Sequence, residues 1–278
     1  MARVKLFARH WGLIDLMHDV LKHHDVRLQE PWEAHVTHKG DEDIVISTFA
    51  YQDLNDLKGD KPVILYATDP VPLFMLDRFK AIQKEKWLTV VLSEKCYPQE
   101  ICPIEKEYTE IPFAIDASKY APYSGTLNKV LVANRKARDR WTECVRGATG
   151  LACSLEEFLG DIPFDILEIP DKNTYRQLFP KYKVMFYYSN SPYTIVMWEA
   201  MTLGMPMVGF NHHHVSTYKP IEKYLPNFST DRDTVRKMLK DELAKTPQRV
   251  VYNINSYESV VAQWDKIIEE AITKFKTV

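Results

Sequence analysis

Short apolar runs alternate along the chain with stretches whose apolar positions recur every three or four residues. The first pattern suits a buried strand and the second suits one face of a helix. The runs at 4–8, 43–49, 62–67 and 89–92 predict strands, with helices over 13–21 and 72–84 between them. The rhythm restarts at 129–133 and continues through strands at 164–169, 183–188 and 206–210. Helices are expected there at 154–159, 173–179 and 192–203. Such alternation implies an α/β fold with mainly parallel sheets. The stretch 111–128 breaks it with Pro112, Pro122 and the turn-prone pair Ser124 and Gly125, and reads as an inter-domain linker. Near the end, Val260, Val261, Trp264, Ile267, Ile268, Ala271 and Ile272 share one helical face, which predicts an amphipathic closing helix. The aromatic residues Tyr182, Phe186, Tyr187 and Tyr188 read as core, and His18, His23 and His24 as solvated.

Composition narrows the class. A chain of 278 residues has room for two domains. Its net charge of −2 excludes a generally basic nucleic-acid or membrane-surface binder. A hydrophobic content of 45% supports packed cores rather than disorder. No apolar run approaches the ~20 residues of a bilayer span, and the start MARVKLFARHWG lacks the apolar stretch of a signal peptide. Four cysteines without a CxxC pair fit a reducing compartment, so a cytoplasmic location is expected. The triple His212, His213 and His214 does not read as a metal site, because consecutive residues rarely face one ion.

The segment 183–210, KVMFYYSNSPYTIVMWEAMTLGMPMVGF, carries the most chemistry. Ser191 suits an N-cap and Pro192 the first helical position. Gly204 suits the left-handed position after the helix, and Pro206 prevents continuation. The amides near Tyr193, Thr194 and Ile195 would then face the mouth of the sheet, where a helix start binds phosphate. Glu199 would lie roughly 12 Å further along the axis, within reach of a ribose or sugar hydroxyl. The alternative is an ordinary strand–helix–strand unit with an exposed glutamate.

The run SPYTIVMWEAMTLGMPMV resembles the signature of retaining GT-B glycosyltransferases, the family 4 type in particular, with Glu199, Ala200, Met201, Gly204 and Pro206 matching in identity and spacing. The run 111–120 (IPFAIDASKY) is similar to that family's linker, 129–140 (KVLVANRKARDR) to its strand and basic loop, and 256–269 to its closing helix. The resemblance implies two Rossmann-like domains with a cleft between them: an acceptor-side domain over 1–120, a nucleotide-sugar-binding domain over 121–259, and a closing helix over 260–278 packing between the domains. It implies transfer of a hexose, with UDP-glucose as the default donor, and no metal, because cationic side chains and a helix dipole neutralise the diphosphate.

Residue by residue, the resemblance places Arg135 and Arg140 on the diphosphate and Glu199 on the nucleotide ribose. Ser191 stands where the family has its first motif glutamate, and Asn134 where it has glycine. Gly12, after the first strand, matches the family's glycine loop against the diphosphate, and a plain strand-to-helix turn is its other reading. His10 and Asp69 end strands on the acceptor side and are candidates for removing the acceptor proton, with a structural role as the alternative for each. The departing phosphate is implied to assist the acceptor, so no carboxylate nucleophile is nominated. The acceptor is open: a glycan, a lipid, a small molecule or a modified DNA base. The competing reading is a catalytically degenerate GT-B protein that binds a nucleotide or sugar without transfer, and Ser191 is its main support.

Overall fold

The computed structural model describes residues 1–8, 11–28, 40–48, 59–67, 76–93, 107–132, 141, 153–167, 171–188, 195–210 and 227–277, with backbone alone at 11, 12 and 76. Two compact units divide the chain: Met1–Ala114 with Asn255–Val278, and Ile115–Ile254. Among the described residues, no helix is long and apolar enough to cross a membrane.

The first unit is built on strands β1 (Arg3–Phe7), β2 (Asp25–Leu28), β3 (Ile44–Thr48), β4 (Val63–Ala67), β5 (Leu88–Leu92) and β6 (Tyr108–Glu110). They pair in parallel in the order β2-β1-β3-β4-β5-β6. Strands β3 and β4 are buried at every position, as expected of strands covered on both faces, and β3 buries the polar Ser47 and Thr48 at its carboxyl end. Helix α1 (Trp11–Val20) follows β1 and α2 (Leu76–Ile82) precedes β5. Phe79 and Ile82 of α2 pack on the side of β4 that carries Val63, Leu65 and Ala67. Tyr66 points the other way, since side chains alternate along a strand. Its ring meets Trp264 of the closing helix edge-on, with centroids 5.0 Å apart, and its hydroxyl donates to the Ile111 carbonyl at 3.0 Å.

That closing helix spans Tyr257–Lys276 and buries Val260, Val261, Trp264, Ile267, Ile268 and Ala271, six of the seven positions picked from the sequence. Ile272 is only partly covered. Tyr257 ties the helix start to the Asp19 carbonyl at 2.6 Å. His24 departs from expectation. Its imidazole is buried: Nδ1 accepts the Ala2 amide at 3.2 Å, so Nε2 carries the proton donated to Asp265 at 2.9 Å. Exposed His23 reaches the other Asp265 oxygen at 2.8 Å.

The second unit contains β7 (Leu127–Val132), β8 (Phe164–Ile166), β9 (Tyr182–Tyr187), β10 (Met207–Phe210) and β11 (Phe228–Ser229). These strands are parallel in the order β11-β10-β9-β7-β8. Helices with described bounds are α3 (Leu155–Leu159), α4 (Lys172–Leu178), α5 (Ile195–Leu203) and α6 (Arg232–Ala244), and the closing helix is therefore numbered α7. One face of the sheet carries an aromatic core in which Trp141 packs against Phe158 (4.7 Å), Tyr188 (4.9 Å) and Phe210 (6.1 Å). Tyr182, Phe186, Tyr187 and Tyr188 are all buried, in accord with the core reading. Helix α3 starts with a capping box: Ser154 accepts the Glu157 amide at 3.0 Å while Glu157 accepts the Ser154 amide at 2.7 Å.

Both sheets are wound alike. The opening strand is internal, the second lies to one side of it, and the third lies to the other. Each unit by itself is thus an open, doubly wound α/β fold. Two Rossmann-like units in one chain is the fold class that the GT-B resemblance implies.

Candidate functional site

In sheets of this winding, ligands bind beyond the carboxyl ends of the strands where the order reverses. In the second unit that point lies between β7 and β9, whose register sets Val130 beside Val184 and Leu131 beside Met185. The segment after β7 carries Arg135 and Arg140, and the segment after β9 carries Ser191, Tyr193 and Thr194. All five lie outside the described residues, and chain connectivity alone starts both segments at this edge. Ile195 opens the described part of α5, half-buried.

Glu199 is a candidate that lies within the described residues. The expected alternative, an exposed glutamate, does not hold, since the residue is only 8% exposed. Helix α5 is buried almost all round, at Met197, Trp198, Ala200, Met201 and Leu203 as well, so it has no solvent face on which to carry a charge. Two phenols meet the carboxylate instead. Tyr120 donates to Oε1 from the segment after a short 3₁₀ turn (Ala117–Lys119), and Tyr175 of α4 donates to Oε2 at 2.6 Å. Each oxygen keeps capacity for one further donor.

Burial pushes the Glu199 carboxyl above its ordinary value, and the two hydroxyls, Arg176 and Lys172 pull it back in part. Burial first and the Glu199 charge second push both phenols well above the usual tyrosine value, so they stay protonated donors. The Arg176 guanidinium lies 5.6 Å from the Tyr120 ring centre, and its buried Nε has no hydrogen-bond partner among the described residues. Tyr120 falls within the linker-like run read from the sequence, but nothing in its spacing marks it as a partner of Glu199. Tyr175 lies on a helix with no buried apolar face, and no sequence signal singles it out.

The far end of α5 has the predicted form. Gly204 sits at φ +72°, the Gly204 amide donates to Met201 at 3.0 Å, and the Met205 amide donates to Ala200 at 2.9 Å. This double bond pattern is the Schellman ending, in which a left-handed residue closes the last carbonyls of a helix. The segment 249–252 locks it further: Val250 donates to the Gly204 carbonyl at 2.9 Å and the Tyr252 hydroxyl to that of Met205 at 2.9 Å.

In the first unit the reversal lies between β1 and β3. Gly12 is in the backbone of α1, directly after the segment leaving β1. His10 and Asp69 follow β1 and β4 in the chain and lie outside the described residues, as do His212, His213 and His214. At this edge Thr48 Oγ1 donates to the Phe7 carbonyl at 3.2 Å, and the fully buried Ser47 hydroxyl has no hydrogen-bond partner among the described residues. Nothing in the sequence pattern singles out either residue as a site.

No family model matches the chain, and no curated protein matches it in sequence. Among solved structures it is similar to an α1,3-fucosyltransferase with GDP-fucose, at TM-score 0.47 and 12% identity, over 96% of this chain and 90% of that one. It is also similar to TarM, at TM-score 0.43 and 13% identity, over 82% of this chain and 51% of that one. A third similar structure is that of accessory secretory protein 1, 2 and 3 of Streptococcus pneumoniae, at TM-score 0.39 and 12% identity, over 84% of this chain and 55% of that one. This chain spans about half the length of the last two. The fold assignment rests on strand order and register.

Proposed function

We propose that the protein is a glycosyltransferase that takes a hexose from a nucleotide-diphosphate sugar and retains the anomeric configuration, with UDP-glucose as the default donor. One observation carries the reading. The two segments that the family resemblance assigns to the diphosphate, with Arg135 and Arg140 in one and Tyr193 and Thr194 in the other, leave neighbouring strands at the reversal point of one sheet. That edge is where an α/β sheet offers amide donors and helix dipoles to a phosphate. Glu199 follows on the helix that rises from it.

In this reading Arg135 and Arg140 stabilise the charge that gathers on the diphosphate as the anomeric carbon–oxygen bond breaks. The acceptor oxygen forms the new bond on the same face, and its proton passes to the departing phosphate, with His10 or Asp69 as candidate helpers. No metal is required. Ser191, in place of a motif glutamate, favours the second reading, a GT-B protein that binds a nucleotide sugar without transferring it.

The test is calorimetric titration with UDP, GDP, UDP-glucose and GDP-mannose, repeated on Arg140→Ala and Glu199→Ala. Micromolar binding of one nucleotide, lost in both variants, is the expected result. Absence of binding to every nucleotide overturns the donor site. Turnover of the bound sugar nucleotide separates transferase from binder.

A further inference from the structure

Glu199 is not a free carboxylate awaiting a ligand. Each of its oxygens already accepts one phenolic hydroxyl, and the two donors come from different parts of the second unit: Tyr120 from the segment before β7, Tyr175 from α4. A carboxylate gripped at both oxygens cannot rotate about its terminal bond without breaking a hydrogen bond. We propose that Tyr120 and Tyr175 are positioning residues, which fix the plane and the charge of the Glu199 carboxylate so that its remaining acceptor capacity faces a bound ribose. This rests on the donor-site reading above and adds two residues to it.

The physical need is plain. A buried carboxylate without donors takes up a proton, and a protonated acid is a poorer acceptor for two sugar hydroxyls. On α5 itself no charged residue accompanies Glu199, whose helical neighbours are Met197, Trp198, Ala200 and Met201. From α4 come Tyr175, Arg176 and Lys172, and from the segment before β7 comes Tyr120. The two cations act at longer range, and the phenols supply the direct hydrogen bonds. Burial keeps both phenols protonated, so they donate across the whole working pH range.

The experiment uses the full chain labelled with side-chain ¹³C-glutamate, as wild type, Tyr120→Phe and Tyr175→Phe, with Glu199→Gln to assign the resonance. Carboxyl shifts are followed against pH, and affinity for UDP and GDP is measured against pH beside their 2′,3′-dideoxy forms. The Glu199 midpoint should rise by about one pH unit in each Phe variant, since a hydrogen bond to a charged group is worth about that much. Affinity for the ribonucleotide should fall about fivefold at the wild-type midpoint and approach a roughly tenfold loss below it, while the dideoxy form is unmoved. If the ribonucleotide binds wild type but neither midpoint nor affinity changes in the variants, the positioning role alone is overturned. If the midpoint moves and wild type binds no nucleotide, the ribose role falls together with the donor-site reading. Equal losses for ribose and dideoxy forms mark a structural effect and also overturn the inference. Tyr120→Phe, at the less buried of the two phenols, keeps the test open if Tyr175→Phe does not fold.

Discussion

At the scale of single residues, Glu199 dominates. Its folded-state value is raised by burial above that of an ordinary carboxyl. Folding therefore favours the protonated form. The corresponding stability is fully present below the unfolded value and is lost as pH rises through the raised one. Glu199→Gln, a neutral group of the same shape, should thus gain on wild type in thermal stability as pH rises above the ordinary carboxyl range of about 4. Parallel melting curves above that pH would show that the carboxylate carries no such penalty. Asp231 behaves oppositely. Asp231, which caps α6 by accepting the Thr234 amide at 2.7 Å, is held below its usual value by Thr234, its side chain first and then its amide. Its contribution is present above the unfolded value and is lost as pH falls through the depressed one. Asp231→Ala should destabilise at neutral pH and become silent in strong acid, which urea melts at two pH values would read.

At the scale of elements, α3 and α5 show how local chemistry fixes ends. Ser154→Ala removes one half of the α3 capping box and should cost about 1 kcal/mol in a denaturant melt. Gly204→Ala should cost more. An L side chain in the left-handed region is penalised by roughly 1–2 kcal/mol, and its Cβ would lie 2.9 Å from the Val250 carbonyl oxygen, a backbone atom that cannot swing aside. A loss of less than about 0.5 kcal/mol would mean that the segment 249–252 is free to retreat. The end of α5 is legible in the sequence, because a left-handed turn is chosen by one or two adjacent residues; for α3 the sequence gives the range 154–159 and the structure supplies the cap. Helix α6 was not legible, because only Val235 and Leu239 of its thirteen residues are buried. Strands β2, β6 and β11 also escaped notice. Each is two to four residues long and partly exposed, so no apolar run announces it.

At the scale of the whole molecule, the last twenty-residue helix belongs with the first unit rather than with the residues just before it. Trp264 on Tyr66 and the Asp265 bonds to His23 and His24 hold it there. Trp264→Ala should destabilise by about 3–5 kcal/mol, as removal of a fully buried aromatic does. Hydrogen exchange should place the loss in β4 and α7 and leave the β7–β10 sheet protected. Equal loss of protection in both sheets would mean that the units unfold as one.

The sequence by itself determined the α/β class, the restart of the strand–helix pattern in the second half, the closing helix and the Schellman end of α5. Each of these follows from the spacing of apolar residues or from a neighbour-to-neighbour backbone preference. Tertiary structure alone decided the strand order, the burial of His24 against Asp265, and the grip of Tyr120 and Tyr175 on Glu199. Those pairings join residues 241, 79 and 24 positions apart. No local period carries such information, and a carboxylate looks the same in sequence whether water or two phenols will surround it.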